Sequence, residues 1–280
     1  MGDILWLASY PKSGNTWLRI LLTNYLGDSP LPADINALGG DPICSSRDLF
    51  DQAAGVRSAS LPATVVERLR PEVYRLAARA GAQTMRIKAH DSFRLTDTGE
   101  PIFPADVSWG VVYLVRDPRD VAVSYAHHAG IPPERSVRRI NDPAAGLARK
   151  HPALQLPQRV GSWSGHVRSW VDQLDIPVLV VRYEDLLSQT VEVFAQVLRF
   201  AGHDPDDFRV RRAVDHSSLV RLQEQEAISP FRERPMRSTD RFFRRGVAGG
   251  WREELDPGLA RLVEREHRVT MSRFGYLETA

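Results

Sequence analysis

The feature that most constrains the fold of this chain is a short segment near its amino terminus, Tyr10-Pro-Lys-Ser-Gly-Asn-Thr-Trp17. It follows an apolar run, Ile4 to Ala8, and opens a stretch, Thr16 to Leu26, that predicts a helix. A turn between a buried strand and a helix presents backbone N–H groups at the positive end of the helix dipole, where anions bind. The segment therefore predicts a phosphate-binding loop, to which Lys12 adds a full positive charge.

The order of residues in this loop differs from that of a Walker A motif. Walker A needs a glycine five residues before Gly14 and the order Gly-Lys-Ser/Thr, whereas this chain has Ser9 and the order Lys12-Ser-Gly. Metal-assisted nucleotide chemistry is therefore disfavoured. A match of this length also fits an ordinary strand-to-helix turn, so other segments have to support a phosphate site.

The remaining apolar pattern predicts an α/β protein. Predicted buried parallel strands are Ile4 to Ala8, Thr84 to Lys88, Val111 to Val115 and Val178 to Arg182. Predicted helices are Thr16 to Leu26, Ala63 to Ala80, Pro118 to His128, Trp163 to Gln173, Thr190 to Ala201 and Pro257 to Phe274. The alternation predicts a three-layer, P-loop-like, doubly wound fold, with a central parallel sheet flanked by helices and a ligand crevice at the carboxyl ends of the strands.

We expect one domain over residues 1–280. Two regions, Asp28 to Leu61 and Ala129 to Pro157, are poor in regular pattern and are predicted to be lids or substrate loops.

The composition limits which cellular compartment and which kinds of partner are expected. Cys44 is the only cysteine, which excludes an internal disulfide framework and a cysteine metal cluster. The formal net charge of +2 is too small to favour nucleic acid by itself. The sequence has no apolar run of membrane-spanning length and no signal-peptide pattern. We therefore expect a cytoplasmic protein without a nucleic-acid partner and without a membrane span.

Two further segments are candidate anion sites. Arg116 ends the third predicted strand, and from there Arg116 and Ser124 could converge on a phosphate one turn into the next helix. The alternative is a solvated salt-bridge network among the charged residues Arg116 to Asp120. The other segment is Phe242-Phe-Arg-Arg-Gly-Val-Ala-Gly-Gly-Trp251, in which Gly246 allows close approach of the backbone. It also fits an arginine-rich surface loop, Arg232 to Arg245, that binds any polyanion.

A candidate base lies at the end of the second predicted strand, in Arg86-Ile-Lys-Ala-His-Asp91. Because side chains alternate along a strand, Lys88 and His90 point to the same side, toward the predicted crevice. An acceptor hydroxyl needs a base that titrates near neutral pH, and histidine is suited to that task. A lone histidine is more often structural, so this assignment depends on the other motifs.

These segments, taken in order, resemble the cytosolic-type sulfotransferase family, which uses 3′-phosphoadenosine 5′-phosphosulfate (PAPS) as sulfuryl donor and releases 3′-phosphoadenosine 5′-phosphate (PAP). The first loop resembles its 5′-phosphosulfate loop, and the Arg116 and glycine-rich segments resemble its 3′-phosphate sites. The amino-terminal stretch through Trp17 resembles bacterial members in particular. The family resemblance implies direct in-line transfer to the hydroxyl, less often the amine, of a small or medium-sized acceptor such as a phenol, an alcohol or a natural product, without a metal.

The resemblance also implies roles for individual residues. It makes His90 the general base and Lys12 and Lys88 the groups that stabilise charge on the transferring sulfuryl group. The implied nucleotide-binding residues are Lys12, Ser13, Gly14, Asn15, Thr16, Trp17, Arg116, Ser124, Tyr183, Ser217, Leu219, Arg244, Arg245 and Gly246. Among these, Trp17, Tyr183, Ser217 and Leu219 are candidates for the adenine side.

The chain departs from the family pattern in three places. Arg245 replaces a lysine, and Gly250 replaces an aspartate, which leaves the internal hydrogen bonding of that loop open. Asp256 and Pro257 stand where many members have the Thr-Val of a dimer motif. We therefore expect a monomer, or a dimer that does not use that motif.

Two other functions remain compatible with the residues alone. A strand-loop-helix phosphate site also serves Mg-ATP-dependent small-molecule kinases. The arginines between Arg232 and Arg245 also suit a non-catalytic polyanion-binding protein. The acceptor itself is not readable from the sequence.

Overall fold

A computed structural model of the protein describes residues 3–38, 42–81, 84–148, 154–235 and 241–277. The strands are β1 (Ile4–Ser9), β2 (Met85–Ala89), β3 (Ser108–Val115), β4 (Gly146–Leu147), β5 (Gln158–Arg159) and β6 (Val178–Arg182). The helices are α1 (Asn15–Gly27), α2 (Arg47–Ala54), α3 (Ala63–Ala80), α4 (Pro118–Ala129), α5 (Pro133–Asn141), α6 (Trp163–Val171), α7 (Tyr183–Ser188), α8 (Thr190–Phe200), α9 (Asp207–His216), α10 (Leu219–Ile228), α11 (Trp251–Glu254) and α12 (Pro257–Arg273).

The main sheet has four strands in the order β2-β1-β3-β6. Strands β1 and β2 are parallel, in a register that runs from Ile4 opposite Met85 to Ala8 opposite Ala89. Every residue of β1 is buried, as expected for a strand covered on both faces. The predicted α/β class, with a central parallel sheet flanked by helices, is confirmed. The strand order reverses between β1 and β3, and ligands of such sheets bind where the order reverses.

The predicted elements agree with the structure to within a few residues at their ends. The helix that begins at Trp163 ends at Val171, two residues before its predicted end at Gln173. The Gln173 side chain instead forms a turn: its amide oxygen accepts from the N–H groups of Asp175 and Ile176. A side chain that satisfies nearby backbone groups in this way competes with helix continuation.

The two regions that are poor in sequence pattern contain helices, so the prediction that they are irregular is wrong, while their role as lids or substrate loops stays a prediction. Within Asp28 to Leu61 lies α2, which Ser46 caps by accepting from the Leu49 N–H and which buries only Phe50. Within Ala129 to Pro157 lies α5, whose buried residues are Ser136, Val137 and Ile140. Helices with so few buried apolar residues leave little periodic signal in the sequence. Residues 39–41 and 149–153 of these regions lie outside the described ranges.

Helices α9 and α10 were not predicted either. The buried residues of α9 are Val210, Ala213 and His216, and those of α10 are Leu222 and Glu226. Both helices therefore bury a narrow face that includes polar side chains. None of the helices in the described ranges combines the length and the apolar character needed to cross a membrane.

The chain divides into two compact units. The first comprises residues 1–10, 41–113 and 142–180, and the second comprises residues 11–40, 114–141 and 181–280. The single domain expected over residues 1–280 stays a prediction.

An aromatic cluster forms part of the core of the first unit. The Trp6 ring lies 5.0 Å from the ring of Tyr74 and 4.8 Å from that of Phe103, and Phe103 lies 4.6 Å from Trp170. These are the distances at which aromatic pairs attract each other beyond the area they bury. The cluster therefore stabilises the unit that carries the candidate base.

A core cluster in the second unit lies next to several candidate nucleotide residues. It contains Ile20, Ile35, Leu38, Leu222, Phe231 and Phe243. Trp17, Leu219 and Phe242 pack against it and are only partly buried. The same apolar cluster thus supports side chains from the first loop, from α10 and from the glycine-rich segment.

Candidate active site

The loop between β1 and α1 is held in an unusual backbone conformation. Lys12 has φ 73° and Gly14 has φ 99°, both in the left-handed region. A Cβ atom on Gly14 would lie 2.8 Å from Cδ2 of Tyr183, so this position has no room for a side chain. Lys12 has a side chain, so the left-handed conformation is strained at this position and must be maintained by the surrounding structure. Such strain is common in ligand-binding loops. The loop is therefore a preformed, tightly packed turn.

The start of α1 has the properties of an anion site. In the described part of the chain no side chain caps the helix at Gly14, and its first turn contains no acidic residue. The side chain of Ser13 is fully buried, and its Oγ has no hydrogen-bond partner among the described residues. A buried hydroxyl without a partner is costly, so a ligand that accepts or donates there stabilises the loop.

Arg116 joins this loop to the glycine-rich segment. Its Nη1 donates to the backbone oxygen of Lys12 at 3.2 Å, and its Nη2 donates to that of Val247 at 3.0 Å. The guanidinium also lies over the ring of Tyr183, 4.3 Å from its centroid. Within the second unit, the Arg116 side chain therefore contacts both of the other segments that were predicted to bind the phosphates, and Tyr183 as well.

The charged residues that follow Arg116 are structural. Asp117 caps α4 and pairs with Arg119 at 2.7 Å, and Arg119 also lies 3.9 Å from the ring centroid of Trp251. Asp117, Arg119 and Asp120 are all buried. The alternative interpretation as a solvated salt-bridge network therefore fails for these residues, because they are packed inside the unit. Ser124, half-buried, lies on the same helix α4.

Asp120 supplies the hydrogen bonding that the sequence left open at Gly250. Its Oδ2 accepts from the Gly249 N–H at 2.7 Å, and its Oδ1 accepts from the Trp251 N–H at 2.9 Å. Burial raises the pKa of this carboxyl, while the positive charge of Arg116 and the two backbone donors oppose that shift. Sequence reasoning missed Asp120, because its position four residues after Arg116 does not show what it contacts.

The neighbouring part of the segment packs on α10. A Cβ atom on Gly246 would lie 3.0 Å from Cδ2 of Leu219, and Gly246 has φ 59°. Arg244 and Arg245 are both paired with Glu254, and Arg245 also contacts Glu253. Residues 236–240 of the arginine-rich stretch lie outside the described ranges.

The aromatic candidates lie beside the first loop. Trp17 donates from Nε1 to the backbone oxygen of Ser217 at 3.0 Å, and its ring lies 6.1 Å from that of Tyr183. The Ser217 hydroxyl is fully buried, donates to Ala213 and accepts from Nδ2 of Asn24. The Ser217 side chain is therefore occupied within the protein, and its backbone oxygen orients Trp17.

Two contacts of the first loop were not anticipated. Nζ of Lys12 lies 4.3 Å above the ring centroid of Phe242, an attractive cation–π arrangement. Glu233 accepts from the buried Arg19 at 2.6 Å and lies 3.4 Å from the Thr16 hydroxyl. Phe242 stood in the glycine-rich motif, but nothing in the sequence linked it to Lys12.

In the first unit, the hydrogen bonds of His90 define its tautomer. Nδ1 of His90 lies 2.9 Å from the backbone oxygen of Ser9, and a carbonyl oxygen can only accept. Nδ1 therefore carries the proton, and in neutral His90 the lone pair is on Nε2. Lys88 and His90 are both half-buried, and their common orientation toward the crevice stays a prediction.

The backbone of His90 is held by a second, buried histidine. His166 Nε2 lies 3.2 Å from the backbone oxygen of His90, and its Nδ1 lies 2.9 Å from the hydroxyl of Tyr113. Because the carbonyl only accepts, Nε2 donates and Nδ1 accepts. Burial lowers the pKa of His166 to about 4, so this ring is neutral at physiological pH. The sequence analysis did not identify His166 as a functional residue.

The residue after His90 is anchored by a buried ion pair. Asp91 accepts from Nη2 of Arg70 at 2.9 Å and from the Arg159 N–H at 2.8 Å, and its side chain is completely buried. Trp170 donates from Nε1 to the backbone oxygen of Asp91 at 2.9 Å. Cys44 lies in the same cluster, where burial and then the negative charge of Asp91 raise the pKa of its thiol to about 12. The strand end that presents His90 is therefore fixed on both sides.

Within the described ranges, no group of three or more His, Cys, Asp or Glu residues is arranged to hold a metal ion. That the reaction needs no metal stays a prediction.

The sequence is similar to known sulfotransferases along most of its length. It is 25% identical over 263 residues to sulfotransferase 1B1 from Mus musculus, covering 90% of this chain and 76% of that protein. It is 23% identical over 285 residues to sulfotransferase 1E1 from Homo sapiens, covering 96% and 84%.

Solved structures with the same fold give a consistent result. Retinol dehydratase in complex with androsterone and the inactive cofactor PAP superimposes with a TM-score of 0.64 at 20% identity, over 96% of this chain and 80% of that one. Mouse sulfotransferase SULT7A1 complexed with PAP gives a TM-score of 0.56 at 19% identity, over 95% and 85%. The sulfotransferase domain model matches residues 3–275. The chain therefore belongs to the sulfotransferase domain family, and the predicted class of PAPS-dependent sulfotransferase is confirmed at the level of that family.

Proposed function

We propose that this protein transfers a sulfuryl group from PAPS to the hydroxyl, or less often the amine, of a small or medium-sized acceptor. The observation that carries the proposal is the contact of Arg116 with the backbone of both Lys12 and Val247. This contact brings the two candidate phosphate-binding loops, around Lys12 and around Val247, together in the second unit, although they are more than 200 residues apart in the chain. The PAP present in the related structures supports the same nucleotide here.

The first loop fits the 5′-phosphosulfate end of the nucleotide. The uncapped start of α1 offers backbone donors and a positive dipole end, and the buried Ser13 hydroxyl has a donor and lone pairs to offer. We assign this end to Lys12, Ser13, Gly14, Asn15 and Thr16.

The 3′-phosphate is assigned to the other segments that Arg116 joins. Guanidinium groups bind phosphate through paired, charge-assisted hydrogen bonds, and a glycine allows the backbone N–H to approach it. We assign this phosphate to Arg116, Ser124, Arg244, Arg245 and Gly246. Trp17, Tyr183 and Leu219 surround the adenine in this assignment, and Ser217 acts by orienting Trp17.

His90 is the proposed general base. Its proton lies on Nδ1, facing the Ser9 carbonyl, so the Nε2 lone pair is the one that takes the proton of the acceptor hydroxyl. Histidine that is neutral near pH 7 is suited to this step. The neutral His166 and the anchored Asp91 fix the backbone on both sides of the base, which favours a constant orientation.

Lys12 and Lys88 are the proposed sources of positive charge. PAPS supplies an activated sulfuryl group that is transferred in line to the acceptor oxygen. Negative charge develops on the leaving oxygen during such a transfer, and a fixed ammonium group lowers the barrier by stabilising it. The strained backbone of Lys12 fixes the point from which its side chain extends.

Calorimetry with three nucleotides tests the donor. We expect PAP to bind more tightly than AMP, which lacks only the 3′-phosphate, and to do so without a metal. Preference for Mg-ATP over PAP would instead indicate a kinase. Steep salt dependence with long polyanions, and no preference for PAP, would indicate a polyanion-binding protein.

A screen of acceptors with labelled PAPS tests the reaction. We expect turnover by the wild type and a loss of about a hundredfold or more in His90→Ala, the range that general base catalysis contributes. PAP binding by this variant should stay near that of the wild type. Near wild-type turnover in His90→Ala would show that the base assignment is wrong.

The start of α12 bears on the mode of assembly. Asp256 caps α12 by accepting from the Gly258 N–H at 2.7 Å, and Pro257 is the first residue of that helix. The residues that replace the Thr-Val of the usual dimer motif therefore start a helix, which supports a monomer or another mode of dimer.

The cytoplasmic location stays a prediction. A single cysteine, Cys44, is compatible with a reducing compartment.

A further inference from the structure

Two arginines assigned to the 3′-phosphate share one carboxylate. Oε2 of Glu254 lies 2.7 Å from Nη1 of Arg244, and Oε1 lies 2.9 Å from Nη2 of the same guanidinium. Oε1 also lies 3.0 Å from Nη1 of Arg245. A phosphate binds guanidinium groups by the same two-pronged arrangement. The carboxylate therefore occupies nitrogens that a 3′-phosphate needs.

The charges of this cluster cancel. Arg244 and Arg245 contribute two positive charges, and Glu253 and Glu254 contribute two negative charges. Partial burial disfavours the charged form of Glu254, but the hydrogen bonds from Arg244 and His127 outweigh it and lower its pKa to about 2. The carboxylate is thus charged at any physiological pH, and protonation does not release the arginines.

Glu254 has another partner besides the arginines. Its Oε2 lies 2.8 Å from Nε2 of His127, which lies three residues after Ser124 on α4. Because a charged carboxylate only accepts, Nε2 of His127 donates. Glu254 therefore keeps a hydrogen bond when the arginines turn toward another anion.

We propose that Glu254 determines the affinity for the 3′-phosphate by competing with it for the guanidinium groups of Arg244 and Arg245. This inference rests on the proposed function, in which these arginines bind that phosphate. On binding, the phosphate replaces the carboxylate at the terminal nitrogens, and the carboxylate stays on His127. Glu254 is then a specificity-determining residue, because it weakens only ligands that need both arginines.

The test compares Glu254→Gln with the matched variant Glu253→Gln by calorimetry with PAP and with AMP. In the described part of the chain, the ion pair of Glu253 is with Nη2 of Arg245 at 2.9 Å, and its side chain is 69% exposed. We expect Glu254→Gln to bind PAP about two- to fivefold more tightly than the wild type, the upper range of a partly exposed ion pair. Binding of AMP should change less than about twofold, and Glu253→Gln should show a smaller effect on PAP, because exposed charges are screened.

Two outcomes would overturn the inference in distinguishable ways. Unchanged or weaker PAP binding by Glu254→Gln, with the wild type still preferring PAP to AMP, would mean that Glu254 positions the arginines. A wild type that does not prefer PAP would refute the 3′-phosphate assignment itself, and the inference with it. Glu254→Ala and a thermal unfolding curve for each variant guard against a folding defect, since competition predicts tighter PAP binding by both substitutions.

Discussion

The carboxylate of Asp120 holds the backbone on both sides of Gly250, because it accepts from the N–H groups of Gly249 and Trp251. The glycine-rich loop is thus shaped from helix α4 rather than by a side chain of its own. Arg116, four residues before Asp120, holds the backbone oxygen of Val247 in the same loop. The part of the loop from Val247 to Trp251 therefore depends on one short segment after β3.

Asp120→Ala should weaken PAP binding about tenfold, the effect of leaving backbone donors without a buried charged acceptor. Binding of AMP should change much less, because the loop faces the 3′-phosphate in our assignment. Calorimetry measures both constants. Asp175→Asn, an exposed change in the first unit, serves as the control. Equal losses for PAP and AMP would show that Asp120 supports the unit in general rather than this loop.

Restoring the family aspartate should be unfavourable in this chain. A Cβ atom at Gly250 would lie 3.9 Å from Oδ1 of Asp120 and 4.0 Å from Oε1 of Glu254, so a new carboxylate would face two existing ones. Gly250 has φ −60°, which other residues adopt without strain. We expect Gly250→Asp to weaken PAP binding about fivefold relative to Gly250→Asn, as like charges in partial solvent do. A tighter complex with Gly250→Asp than with Gly250→Asn would contradict this expectation.

Gly14→Ala should destabilise the fold more than Gly55→Ala. Both glycines have positive φ, 99° and 67°, but a Cβ atom meets Tyr183 only at Gly14 and open space at Gly55. We expect a loss in the free energy of unfolding of about 1 kcal/mol for Gly55→Ala and about 2–4 kcal/mol for Gly14→Ala. Urea titration measures the difference, and equal losses would show that the loop relaxes around the methyl group.

The buried His166 should contribute to acid sensitivity. Its pKa is lowered from 6.5 to about 4 in the folded protein, so the unfolded chain binds this proton first as the pH falls. The associated stability is complete above pH 6.5 and is lost between about pH 6.5 and pH 4, at up to about 1.4 kcal/mol per pH unit.

His166→Gln tests this dependence by removing the titrating ring. The free energy of unfolding, measured across that pH range, should fall less steeply with decreasing pH in the variant. The difference in slope should correspond to about one bound proton. His267, whose pKa burial lowers to about 4, is retained in both proteins and gives a common background. The exposed His203→Gln is the matched control and should leave the slope unchanged. The same slope in all three proteins would exclude His166 as a source of acid sensitivity.

The strand-loop-helix segment around Lys12 was predictable because its information is local. A buried strand, small residues and a helix stand next to each other in the sequence. The strand ends at Val115 and Ala89 were predictable in the same way, because each apolar run is followed directly by polar residues. The order of the motifs then predicted the family. These patterns need no knowledge of which distant residues meet.

The contacts that tune the site were not predictable, because they join distant parts of the chain. Asp120 and Gly249 are 129 residues apart, and His127 and Glu254 are 127 residues apart. Neither the composition nor the local sequence pattern indicates that the residues of either pair are in contact. His166 was missed for a related reason, since a histidine that holds the backbone of another residue has no local signature.

The burial of Cys44 has a consequence for observing the protein. The only thiol of the chain lies in the first unit, 2% exposed, and its raised pKa keeps it in the unreactive protonated form. A thiol reagent reaches it only when the cluster of Arg70 and Asp91 opens. Its modification rate therefore reports the local opening of the unit that carries His90.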